Sequence, residues 1–172
     1  MEEEKVILVT PQDKPIGLMP KLEAHKKAVL HRAFSVFIFN DKGQLLLQQR
    51  ALNKYHSPGL WTNTCCSHQR KGETNIQAGR RRLKEEMGIE CNLKELFWFV
   101  YKAPFANGLT EHELDHVMIG SFNKNPIINK VEVASYNWKT IDDVARDMKA
   151  NPNKYTVWFK IIFNEYITYL KL

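Results

Sequence analysis

The segment Leu60–His68, Leu-Trp-Thr-Asn-Thr-Cys-Cys-Ser-His, sets a thiol and an imidazole two positions apart, at Cys66 and His68. In an extended segment side chains alternate with period two, so both would point the same way. A sulfur able to act on a substrate would then sit beside a nitrogen able to hold a metal. Glu111 and Glu113, in Glu-His-Glu, have the same spacing. On a strand these carboxylates share one face, roughly 6.5–7 Å apart along it. On a solvated face they would only repel slightly; converging on a cation, they would be hard oxygen ligands. With His25, His31 and His68 they would make a mixed nitrogen and oxygen site for a divalent ion such as Mn²⁺, Zn²⁺, Fe²⁺ or Mg²⁺. Spacing alone does not unite these histidines, and a lone histidine is ordinarily a surface or core residue.

Glu85 and Glu86 sit in the charged run Arg80–Ile89. Glu85, beside arginines, reads as a solvated salt-bridging charge. Glu86, just before Met87-Gly88, also suits a Mg²⁺ ion, which takes one or two carboxylates plus substrate phosphates. Cys65 and Cys66 are adjacent, so only one can face a given side of a strand. Both could be small buried hydrophobes. A thiol beside a metal and cations would instead be reactive, with its acidity raised.

These groups need elements to carry them. Lys5–Thr10 predicts a short strand, ended by Pro11-Gln12-Asp13-Lys14-Pro15, and Lys21–Leu30 a short polar helix. Arg32–Phe39 and Gln44–Arg50 read as two strands of a hairpin turned at Asp41-Lys42-Gly43. Ala51–Gly59 is a loop closed by Pro58-Gly59. The central segment follows, extended. Thr74-Asn75-Ile76-Gln77 fits a capping box for a helix running to Met87, with Gly88 suited to the position just past its end. Ile76, Leu83 and Met87 form its apolar stripe. Leu93–Tyr101, Glu111–Phe122 and Val131–Lys139 read as strands. Thr140–Ala150 is an amphipathic helix capped by Thr140, and Thr156 can cap a last helix to about Leu170. Strands interleaved with helices predict an α+β layered fold, a mixed sheet flanked by helices.

The whole chain, 172 residues with 44% apolar and 26% charged residues, reads as a single globular domain. The acidic start, Met-Glu-Glu-Glu-Lys, lacks the apolar region of a secretory signal. No apolar run approaches the roughly 20 residues that span a bilayer. Three cysteines, two of them adjacent, make a poor disulfide framework, so a cytoplasmic setting is expected. The net charge of +6 suits an anionic partner or simple solubility. The basic residues are spread along the chain, which disfavours nucleic acid.

Gly59–His68, Leu30–Asn40 (Leu-His-Arg-Ala-Phe-Ser-Val-Phe-Ile-Phe-Asn), Leu45–Arg50 (Leu-Leu-Leu-Gln-Gln-Arg), Glu111–Asp115 (Glu-His-Glu-Leu-Asp) and Trp158–Ile162 (Trp-Phe-Lys-Ile-Ile) together resemble the type I isopentenyl diphosphate isomerases. The match keeps its order from about Val6 to Ile162. That family has the Nudix fold, whose signature is present but altered. Glu73, Arg81, Leu83, Glu85, Glu86 and Gly88 occupy its positions. Ser67 replaces its opening glycine, and Arg82 replaces the glutamate after its arginine. In Nudix hydrolases that glutamate helps hold the metal used to attack a phosphoanhydride. An arginine there suits binding a diphosphate without cutting it.

The resemblance implies a site and a reaction. The double bond of isopentenyl diphosphate moves to give dimethylallyl diphosphate, by protonation and deprotonation. Cys66 and Glu113 are the opposed acid–base pair, Tyr101 bonds Glu113, and Trp158 faces the cationic carbon. Trp61 is either site wall or core. His25, His31, His68, Glu111 and Glu113 hold a divalent metal (Mn, Zn or Mg), and Glu86 holds a Mg²⁺ ion near the diphosphate. Lys21, Arg50, Lys54 and Arg82 surround that diphosphate, with Ser35 as a hydrogen-bond partner. The expected partner is a small isoprenoid diphosphate, with no nucleic acid or membrane, and the protein is expected to be a monomer or weak dimer. The competing expectations are a Nudix phosphohydrolase, which Arg82 and the Cys66/His68 pair disfavour, and a metal-dependent RNA-binding module, for which no signature is visible.

Overall fold

The computed structural model describes residues 4–170. Its elements run β1 (Lys5–Val9), β2 (Pro15–Pro20), α1 (Lys21–Lys27), β3 (His31–Phe39), β4 (Gln44–Arg50), β5 (Trp61–Thr62) and β6 (Cys65–Ser67). They continue α2 (Asn75–Met87), β7 (Leu93–Pro104), β8 (Thr110–Ser121), β9 (Val133–Thr140), α3 (Ile141–Ala150) and α4 (Val157–Tyr166). The strands form one mixed sheet with β3 at its hub, antiparallel to β1, β4 and β6 and parallel to β8. Phe34–Phe39 is buried throughout, as a strand covered on both faces must be. Alternation divides it. Phe37 and Phe39 pack with Trp158, Phe159 and Ile162 of α4, whereas Phe34, Val36 and Ile38 pack with Leu83 and Met87 of α2. The expected layering of a mixed sheet between helices is what forms. No helix among the described residues is long and apolar enough to cross a membrane.

Three departures from the sequence reading have local causes. Pro11–Pro15 ends the first strand as expected, but Pro15 also opens an unforeseen one, β2, an exposed strand beside β1. Its prolines stand at its two ends, and an edge strand tolerates them because one side of it has no ladder to complete. The β3–β4 hairpin pairs only at Phe39 and Leu45 before its strands part. Thr64 is the wedge: its hydroxyl accepts from Ile38 N at 2.9 Å and donates to Leu46 O at 2.6 Å. The same insertion breaks the central segment in two, β5 pairing with β4 and β6 with β3. Finally, Thr156 precedes α4, but its hydroxyl donates to Thr62 Oγ1 at 2.9 Å instead of capping, and the α-helix stops at Tyr166.

Helix α2 follows its signals. Thr74 Oγ1 accepts from Gln77 N at 3.2 Å, and Gln77 Oε1 accepts from Thr74 N at 2.9 Å. Gly88 ends the helix with φ +63, and a Cβ there would lie 2.7 Å from Ile127 O. That neighbour is held in turn, since Ile127 N donates to Met87 O at 2.9 Å and Asn129 N to Glu86 O at 2.8 Å. Gly88→Ala should therefore cost about 2–4 kcal/mol, combining left-handed backbone strain with a backbone clash. A urea midpoint equal to that of the wild type would show that the 127–129 segment yields freely.

Candidate active site and metal centre

The parallel register of β3 and β8 pairs His31 with Glu113. His25 approaches from α1 and His68 from just beyond β6. Donor atoms of His25, His31, His68 and Glu113, all buried, lie within 4.8 Å of one another. Glu113 Oε1 is the convergence point, 3.0 Å from His68 Nε2, 3.4 Å from His31 Nε2 and 3.8 Å from His25 Nε2. Buried His25 Nε2, His31 Nε2 and His68 Nδ1 have no hydrogen-bond partner among the described residues. Buried polar atoms are ordinarily satisfied, so the Nε2 atoms of His25 and His31, with His68 Nε2 and the Glu113 carboxylate beside them, fit a divalent cation. Burial lowers the His68 pKa to about 4, against the hydrogen bond to Glu113, and so keeps the ring in its ligating, neutral form. Burial pushes the Glu113 carboxyl up, but the imidazoles of His25, His31 and His68 around it outweigh this and hold it well below the usual range.

Glu111 does not join that group. Its Oε2 lies 2.9 Å from Tyr101 Oη, and its Oε1 lies 3.4 Å from His56 Nε2. Burial and the neighbouring Glu113 charge push its carboxyl well above the usual range. Tyr101 also reaches Glu113 Oε2 at 2.7 Å. A hydroxyl has one proton, so a neutral Glu111 donating to Tyr101 lets Tyr101 donate to Glu113. The expected five-ligand set thus separates into four converging donors and one carboxyl that shares a proton with them through a phenol.

Across the sheet, antiparallel pairing sets Cys66 opposite Ser35. Cys66, Glu111, Glu113 and Trp158 line one cavity, part of it open to solvent. Cys65, one residue away, turns into the core below α2. Of the two readings of the thiol, burial favours the neutral one: it pushes the Cys66 pKa up to about 12, with Arg50 pulling the other way. Ser35 Oγ lies 2.7 Å from Asp115 Oδ2, whose carboxyl is pushed up by burial and the Glu113 charge. Trp158 is buried, and its ring already lies 5.3 Å from the guanidinium of Arg50. Trp61 lies outside this cavity and packs against the core.

Lys21, Arg50, Lys54 and Arg82 also line the cavity. Lys21 pairs with Glu4 at 3.2 Å, Lys54 with Glu132, and Arg82 with Glu85, Glu86 and Glu132. Arg50 donates to the carbonyls of Ser57 and His56, each at 3.1 Å, so it also clamps the loop before β5. Glu86, buried beside Arg82, takes a further 2.9 Å bond from Gln48. Arg81 turns elsewhere, to Glu73 at 2.6 Å, and braces the start of α2. Sequence reading missed Gln48, Tyr55, His56, Asp115 and Glu132, all of which line the cavity. Asp115 was within reach, because it continues the alternation of Glu111 and Glu113. The others carry no periodic signal.

Residues 29–159 match the NUDIX domain, which leaves α1, with Lys21 and His25, ahead of the matched region. The chain resembles the solved structure of a Deinococcus radiodurans protein with a TM-score of 0.77 at 21% identity, covering 95% of this chain and 99% of that one. A MutT protein from Methanosarcina mazei gives 0.68 at 16% identity, over 83% and 96%. At such identities the likeness is one of fold. In sequence, the chain is 52% identical to an isopentenyl-diphosphate Delta-isomerase of Pectobacterium atrosepticum, over 92% of this chain and 89% of that protein. It is 51% identical to isopentenyl-diphosphate Delta-isomerase 2 of Photorhabdus laumondii, over 94% and 92%. With half of the residues identical over nine-tenths of the chain, and the domain match beside it, the chain belongs to the Nudix family and, within it, to the isopentenyl-diphosphate Delta-isomerases.

Proposed function

We infer that this protein interconverts isopentenyl and dimethylallyl diphosphate, the activity for which its relatives are named. The observation that carries this reading is that Cys66 and Glu113 line one cavity whose wall also bears Lys21, Lys54 and Arg82. Adding a proton to the terminal alkene carbon makes a tertiary cation. Loss of a proton from the carbon nearer the diphosphate completes the shift. With the thiol neutral and Glu113 charged, this pair holds one proton between them, the number the reaction needs. The proton given up by one member is replaced, across the cation, on the other. Tyr101 and Glu111 link that carboxylate to a second proton-holding group. The face of Trp158 is assigned to the cation, an attraction of roughly 2 kcal/mol when water is excluded.

His25, His31, His68 and Glu113 are assigned to a divalent metal, with Glu111 beside them. Three imidazoles favour Mn²⁺, Zn²⁺ or Fe²⁺ over Mg²⁺, which prefers oxygen. The metal, when bound, supplies positive charge that makes a protonated Glu113 a stronger acid. Glu86 is assigned to a Mg²⁺ ion arriving with the diphosphate. Lys21, Arg50, Lys54 and Arg82 are assigned to the diphosphate itself, whose binding holds the short hydrocarbon between thiol and carboxylate.

Turnover of isopentenyl diphosphate in heavy water tests the reading. The expected product is dimethylallyl diphosphate carrying deuterium in a methyl group, with no phosphate released. Phosphate release without isomerisation would mark a hydrolase instead. Arg82→Glu should raise KM at least tenfold, because it puts an anion where a cation faces Glu86 and Glu132. An unchanged KM would remove Arg82 from diphosphate binding.

A further inference from the structure

The loop Ala51–Gly59 reaches the proposed metal centre from outside. Tyr55 Oη lies 3.3 Å from His25 Nδ1, and His56 Nε2 lies 3.4 Å from Glu111 Oε1. The loop is pinned at its carbonyls, by Arg50 to Ser57 and His56 and by Asn107 Nδ2 to Tyr55 O at 3.0 Å. A histidine that gives the lone pair of Nε2 to a cation must carry its proton on Nδ1. Ligating histidines ordinarily donate that proton to a fixed acceptor, which sets tautomer and ring angle. His31 has one in the backbone, Val29 O at 2.8 Å from its Nδ1. His25 has no backbone acceptor among the described residues, and the Tyr55 hydroxyl is the partner of its Nδ1.

We propose that Tyr55 is a positioning residue for the metal centre: its hydroxyl accepts the Nδ1 proton of His25 and so turns Nε2 toward the other three donors. His25 stands on α1, a helix of one short segment that meets the sheet at β8, β2 and β1. A side chain on a neighbouring loop is then what fixes its ring. The Lys21 ammonium lies 5.8 Å from the centre of the same tyrosine ring, so Tyr55 stands beside both residues that α1 contributes to the site. Nothing in this proposal depends on isomerase activity. It rests on the reading of His25, His31, His68 and Glu113 as a cation site.

The test is metal affinity. Metal-free wild type and Tyr55→Phe are titrated with Mn²⁺, following the free ion by electron paramagnetic resonance, and with Zn²⁺ against a chelator. The wild type should bind one ion per chain. Tyr55→Phe should bind it about 10–100-fold more weakly, the usual cost of losing an outer partner. Its metal-free melting temperature should match that of the wild type, since only one oxygen of a half-exposed side chain is lost. Equal affinities would overturn the role of Tyr55 while leaving the cation site standing. A wild type that binds neither ion would overturn the cation site and this proposal with it. Weaker binding accompanied by an equally lowered metal-free melting temperature would assign Tyr55 to folding and overturn the proposal too.

Discussion

Cys66→Ala is expected to lower kcat by about 10³-fold or more, the scale of a positioned proton-transfer group. The fold should survive, because Cys66 is half-buried at the cavity wall and one sulfur atom leaves little void. Metal affinity should be unchanged, since the thiol is not among the four converging donors. The loss is then one of chemistry, visible in kcat with KM nearly constant. Burial that holds the thiol near 12 adds a second expectation: alkylation by iodoacetamide should be slow at neutral pH and accelerate only in alkali. A purified Cys66→Ala enzyme within tenfold of wild-type kcat would take the sulfur out of the reaction.

Glu113→Gln should be the more damaging change. It keeps the shape of the side chain and removes the charge on which three imidazoles converge at 3.0, 3.4 and 3.8 Å. It also ends the acceptance of the Tyr101 proton at Oε2 if the amide nitrogen takes that place. Turnover should fall at least about 10³-fold, because the group that exchanges a proton with substrate is gone. Metal affinity should fall as well, since a neutral amide replaces an anionic ligand. This double loss separates Glu113 from Cys66, whose replacement spares the metal. Glu113→Gln with normal metal binding and normal turnover would dissolve the proposed site.

Much of this was legible in the chain because it depends on short-range order. The capping box at Thr74 and Gln77 formed as written, since a cap involves only residues a turn apart. The alternation that set Cys65 against Cys66 placed one in the core and one in the cavity, as a strand must. The family resemblance, carried by motifs in register, gave the fold and the reaction. The state of the thiol was not legible, because its acidity depends on solvent exclusion and no local pattern reports what will cover it. Nor was the Ser35–Asp115 bond, which joins residues far apart in sequence.

By itself, then, the sequence determined which groups were available and which of them shared a face: Cys66 with His68, and Glu111 with Glu113, through the two-residue period of extended backbone. Only the tertiary structure decided which faces meet. The parallel register of β3 with β8 brings His31 to Glu113, and the Asn63-Thr64 interruption sends β6 to β3 and not to β4. Thr64 makes that choice by spending its hydroxyl on Ile38 and Leu46, two strands no local pattern could name as its partners. Long-range hydrogen bonds and burial set the register, and with it the protons, the charges and the place of the proposed metal site.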